Sequence, residues 1–147
     1  MGAYRTVVVG TDGSDSSMRA VEKAAQIAGP DAKLIVASAY LPQHEDARAA
    51  DALGDESYKV SGTAPIYAIL RDAKDRALAA GAHNIDERPI VGAPVDALIH
   101  LAEEEQADLL VVGNVGLSTI AGRLLGSVPA NVSRRAKTDV LIVHTTT

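Results

Sequence analysis

Short apolar runs alternate with helix-patterned segments along this chain, and that alternation leaves few folds open. The runs are TVVV at 6–9, closed by Gly10, then KLIVA at 33–37, ERPIV at 87–91, DLLVV at 108–112 and DVLIV at 139–143. Three of the five are apolar throughout, not at every second position. A strand with one face in water alternates, whereas a strand covered on both faces does not. Pro89 interrupts the third run, and its missing N–H places that strand at a sheet edge.

The intervening segments carry helical stripes. Residues 16–28 set Met18, Val21, Ala24, Ala25 and Ala28 on one face; 63–80 set Ile66, Ile69, Leu70, Ala73, Ala77 and Ala80 likewise, ending at Gly81. A third helix is expected over 95–105 with Leu98, Ile99 and Ala102 inward. A fourth is expected over 128–136 with Val132 inward, and Arg134, Arg135 and Lys137 complement its dipole in the last turn. The order β-α-β-α-β-α-β-α-β predicts an α/β fold, an open parallel sheet with helices on both faces. One domain over 1–147 is expected, with no repeat. Segment 41–62 is long for a strand-to-helix link. It reads as a solvated loop, with a short helix at 45–53 or a flap as alternatives.

Composition removes whole classes of function. A net charge of −5 argues against a nucleic-acid binder or a polybasic membrane anchor. The absence of cysteine excludes disulfides, thiolate metal sites and thiol catalysis. No apolar run reaches the length of a membrane span, and the chain enters its first strand without a secretory signal, so a cytoplasmic protein is expected. The four histidines, His44, His83, His100 and His144, are far apart and form no H-E-x-x-H. Walker-type, dinucleotide and nucleophile-elbow motifs are also missing.

Ligands of an open parallel sheet bind beyond the carboxyl ends of its strands, where strand order reverses. Three loops emerge there. In the first, GTDGSD at 10–15, Gly10 and Gly13 permit a tight turn beside a ligand, and Ser14 can cap the next helix. Asp12 can accept ribose hydroxyls or help hold a metal; equally, it can form an Asx-turn that only shapes the loop. The second is GNVGLSTIAGRLLGSV at 113–128. Gly113, Gly116 and Gly126 let backbone amides approach an anion, Ser127 adds a hydroxyl, and the following helix N-terminus offers unpaired N–H groups. A plain turn with a serine cap is the alternative, but two glycine sets at the right sheet edge favour phosphate. The third, VGAP at 91–94, can admit a base or sugar at Gly92, or serve only as a turn.

The spacing Gly113-x2-Gly116-x9-Gly126-Ser127 resembles the phosphate motif of the universal stress protein family, and VVVGTDGS at 7–14 and DVLIV at 139–143 resemble that family's ends. The resemblance spans essentially the whole chain. It implies a five-stranded Rossmann-like sheet in the order 3-2-1-4-5. It also implies a homodimer in which strand 140–143 pairs with its copy, covering an apolar edge. It implies that Asp12 meets the ribose, the backbone near Ala39 meets adenine, and Val91 lines the base pocket. Gly113, Gly116, Gly126, Ser127 and Val128 would hold phosphate, with Gly10, Thr11 and Val115 completing the nucleotide-binding set.

Within the motif, Asn114 and Val115 stand where the family often has polar or basic residues, and 117–125 offers only Arg123 as a cation. A triphosphate calls for more cations or Mg²⁺. Backbone amides and one serine suit a single phosphate charge, and the family includes cyclic AMP binders. The expected ligand is therefore an adenine nucleotide, cyclic AMP ahead of ATP, bound by a non-catalytic sensor or buffer in stress physiology. One alternative is a slow ATP hydrolase or autophosphorylating protein, with Asp12 on Mg²⁺ and Ser118, Thr119 or Ser127 accepting phosphate. The other is a structural dimer module without ligand.

Overall fold

A computed structural model describes residues 4–40, 64–113, 132 and 134–144. The fold is β1 (Thr6–Gly10), α1 (Asp15–Ala28), β2 (Lys33–Tyr40), α2 (Ala64–Ala80), β3 (Asn84–Val91), α3 (Pro94–Glu104), β4 (Leu109–Gly113) and β5 (Asp139–Val143). A helical turn holding Val132, Arg134 and Arg135 precedes β5. Segment 41–62, with the alternative short helix at 45–53, and the expected start of the fourth helix lie outside the described residues.

All the strand pairings are parallel, in the order β3-β2-β1-β4-β5. The unbroken apolar runs have the cause the sequence suggests. Val7, Val9, Leu34, Val36, Leu109 and Val111 face one layer, packed by Met18, Val21 and Ala24 of α1 and Leu70, Ala73 and Ala77 of α2. Val8, Ile35, Ala37, Leu110 and Val112 face the other, packed by Ala97, Leu98 and Leu101 of α3 and by Val132. Side chains alternate across a strand, so two covered faces require apolar residues at both parities. Each large aliphatic side chain buried here contributes roughly 1.5–3 kcal/mol.

Two strands are longer than their hydrophobicity predicts. β2 continues past Ala37 to Tyr40, and β3 begins at Asn84, not at Glu87. The two pair without interruption from Lys33–Asn84 to Tyr40–Val91. Pairing thus extends a strand through polar residues that local pattern assigns to loops. β3 is an outer strand, as Pro89 requires.

The topology positions the site. The chain winds outward through β2 and β3, then returns to place β4 on the other side of β1. Strand order therefore reverses at β1, and the carboxyl ends of β1, β3 and β4 lie at one edge of the sheet.

Candidate functional site

The loop after β1 is held by a compact hydrogen-bond network. Thr11 N donates to Ala37 O at 2.9 Å, fixing the loop to β2. Ser14 is the N-cap of α1, and its side chain accepts from Ser17 N at 3.1 Å. Gly13 turns at φ 88°, and its N–H donates to Thr11 Oγ1 at 3.1 Å. Asp12 Oδ1 accepts from Ser14 N at 2.9 Å and from Ser17 Oγ at 3.0 Å. The first of these contacts is the Asx-turn that the sequence allows.

The second carboxylate oxygen differs. Asp12 Oδ2 is buried and has no hydrogen-bond partner among the described residues. A buried acceptor left unsatisfied costs about 1–3 kcal/mol, more when charged. Oδ1 thus shapes the loop, as the Asx-turn reading expects, while Oδ2 is left without a donor among the described residues.

Asp12 lines a cleft with Gly10, Thr11, Ala37, Ala39, Pro94 and Leu98. Between the described walls the cleft is small, about 20 Å³, and open to solvent. Gly10, Thr11, Asp12 and Ala39 were all expected from sequence, and the fold brings them together. Gly113 ends β4 at the same edge, fully within the sheet, where β4 pairs with β1 through Val111 and Val9. Val91 stands apart. It ends β3 opposite Tyr40, is 57% exposed, and lines a separate groove with Arg88, Pro89 and His100. Val115, Gly116, Gly126, Ser127 and Val128 lie outside the described residues.

Three residues were not singled out from sequence. Ala37 lines the cleft from β2, and Pro94 lines it from the start of α3, where its fixed φ suits the first turn. Ser17 is fully buried, and its hydroxyl lies 2.7 Å from Thr11 Oγ1 and 3.3 Å from Asp12 N. The signal for Ser17 was available. It shares the buried stripe of Val21, Ala24 and Ala28, so a serine sits where the pattern expects an apolar side chain.

The loop also leans on α2. A Cβ placed on Gly13 would fall 2.9 Å from Ile69 Cγ1, so glycine permits both the left-handed turn and the close approach. Among the described residues, no group of three or more His, Asp or Glu side chains is placed to hold a metal ion. Among them, too, no helix is long and apolar enough to cross a membrane.

Comparison with known proteins agrees with this architecture. The model of the universal stress protein family matches residues 3–144. Universal stress protein Rv1636 of Mycobacterium tuberculosis is 85% identical over 146 residues, covering 99% of this chain and all of that protein. A crystal structure of a universal stress protein in complex with cAMP superposes with a TM-score of 0.76 at 66% identity, covering 99% of this chain and 100% of that one. The universal stress protein from Archaeoglobus fulgidus in complex with dAMP shares the fold, with a TM-score of 0.64 at 22% identity over 95% of this chain and 97% of its own. The matched span, the sheet order and the identity to these relatives establish that the chain belongs to the universal stress protein family.

Proposed function

We propose that this protein binds an adenine nucleotide, cyclic AMP ahead of ATP, and acts as a cytoplasmic nucleotide sensor or buffer rather than as an enzyme. The observation that carries the reading is the buried Oδ2 of Asp12, without a partner among the described residues, on a residue that lines the cleft where strand order reverses. A ribose hydroxyl supplies the donor that this oxygen lacks. The cAMP-bound relative, 66% identical over nearly the whole chain, supports the same ligand class here.

In this reading Asp12 takes the ribose, and Gly10, Thr11 and the backbone near Ala39 border the base and sugar, while Val91, which lines a separate groove, is left out of the base pocket. Gly113, Val115, Gly116, Gly126, Ser127 and Val128 surround the phosphate. Cyclic AMP is preferred for two reasons. Segment 117–125 offers a single cation, Arg123, and a lone phosphodiester charge needs less neutralisation than a triphosphate. A cyclic 3′,5′-phosphate also leaves one free ribose hydroxyl, matching the single Asp12 oxygen without a partner among the described residues. ATP, where it binds, would bring Mg²⁺ to Asp12.

The same domain, spanning 1–147, is proposed to dimerise through strand 140–143. β5 is an outer strand of the sheet and Ile142 is 41% exposed, which supports pairing with a second copy. Sedimentation velocity measures that assembly directly.

Titration calorimetry with cyclic AMP, ATP, AMP and GTP tests the ligand assignment. Cyclic AMP is expected to bind most tightly and GTP not at all. Equal heats with GTP would overturn adenine selectivity, and a tighter ATP isotherm would reverse the ligand order.

A further inference from the structure

Ser17 lies outside the cleft lining, yet its hydroxyl organises the loop that lines it. Ser17 Oγ is 2.7 Å from Thr11 Oγ1, 3.0 Å from Asp12 Oδ1, 3.0 Å from Ser14 O and 3.3 Å from Asp12 N. A serine hydroxyl has one proton and two acceptor lone pairs. Either hydroxyl can donate in the Thr11–Ser17 contact, but a carboxylate is a stronger acceptor for the Ser17 proton than a hydroxyl, so Thr11 donates to Ser17 while accepting from Gly13 N. Asp12 N donates as well, which fills Ser17's acceptor capacity. The single Ser17 proton then has two acceptors in reach, and an ionised carboxylate outcompetes the Ser14 carbonyl. The chain of donors runs Gly13 N to Thr11 to Ser17 to Asp12 Oδ1.

This direction has a consequence for Asp12. With Oδ1 held by Ser17 Oγ and Ser14 N, carboxylate rotation is restrained and Oδ2 is the oxygen left over, buried without a partner among the described residues. We propose that Ser17 is a positioning residue that locks Asp12 so that Oδ2 alone reads one hydroxyl donor of the bound ligand, making the loop selective for ribose over deoxyribose at the sugar position facing Asp12. The proposal rests on the nucleotide reading above and deepens it, because it names which part of the ligand is discriminated and which buried residue sets the discrimination.

Paired titrations of cyclic AMP and 2′-deoxy cyclic AMP test it. The wild-type protein is expected to prefer cyclic AMP by roughly 10-fold or more, as for a hydrogen bond to a charged acceptor. In Ser17→Ala, cyclic AMP affinity falls towards the deoxy value, while 2′-deoxy cyclic AMP binding stays within about 3-fold of wild type. Ser17→Cys keeps the volume but has a weak donor, and it shows the same collapse if the alanine variant does not fold. Asp12→Asn combined with Ser17→Ala adds no further loss for cyclic AMP, because both act on one contact. Equal weakening of both ligands in the Ser17 variants would reveal a merely structural role and overturn the proposal. Equal affinity of the wild type for the two ligands would overturn it too. Failure of the wild type to bind any cyclic AMP would instead sink the parent reading, and this one with it.

Discussion

Two aspartates sit at opposite ends of the sheet and are used differently. At the amino end, Asp108 Oδ2 accepts from Arg5 N at 2.9 Å and Thr6 N at 3.0 Å, tying the entry of β1 to the start of β4. That side chain is exposed, so its remaining lone pairs face solvent. Nearby, Lys33 pairs with Asp86 at 3.1 Å and Glu105 at 3.6 Å. Arg88 reaches Glu105 at 2.9 Å. At the carboxyl end, Asp12 is half-buried, its Oδ1 is consumed by its own loop, and its Oδ2 has no partner among the described residues. Carboxylates at the amino end are partnered or wet, so their role ends with the fold. The carboxyl end leaves an acceptor dry and unanswered, which stability alone does not require. The difference separates a structural carboxylate from a candidate functional one more sharply than residue type or position can.

Exchanging the side chains should widen that difference. Asp12→Asn keeps an Oδ1 acceptor for the loop but replaces the free oxygen with a donor. It should weaken cyclic AMP by about 10- to 100-fold while leaving the denaturation midpoint near wild type. Asp108→Ala should do the converse, losing about 1–2 kcal/mol of stability with unchanged nucleotide affinity. Calorimetry and urea denaturation read both, and a loss of binding in Asp108→Ala would erase the contrast.

Strain gives the next effect. Gly13→Ala should destabilise by roughly 1–3 kcal/mol, since φ is 88° and the new methyl meets Ile69. The same change in an Ile69→Ala background should cost measurably less, because the opposing atoms are gone. Additive costs would show that the left-handed backbone alone carries the strain.

The smallest effect belongs to the amino end. Hydrogen bonding and attraction to Asp86 raise the Lys33 pKa above its ordinary 10.5, with Glu105 adding to the shift. A raised folded value means that the stabilising contribution is fully present below the unfolded value and disappears as pH climbs through the folded one. The small advantage of wild type over Lys33→Met should therefore be constant near neutrality and vanish at strongly alkaline pH. Thermal melts across that range check it. An advantage growing with pH would contradict the pairing.

Much of this molecule is legible in its residues. Apolar runs at both parities of 7–9, 34–37 and 109–112 demand a sheet covered on two faces, and the stripes of 16–28 and 63–80 supply the cover. Turn chemistry at Gly10, Gly13 and Ser14 marks the loop where a ligand would sit. These features are local, set by side-chain period and backbone freedom, so a sequence carries them openly. The full length of β2 and β3 is not local: Ser38 and Asn84 belong to strands only because a neighbour completes their hydrogen bonds. Val91's separation from the Asp12 cleft likewise depends on the position of a sheet edge in space. The fate of Asp12 is the clearest case. Sequence left ribose binding and an Asx-turn evenly balanced, because it records one carboxylate and not two oxygens. Only folding, which buries Ser17 against the loop, divides that carboxylate into a satisfied half and a half that lacks a donor among the described residues.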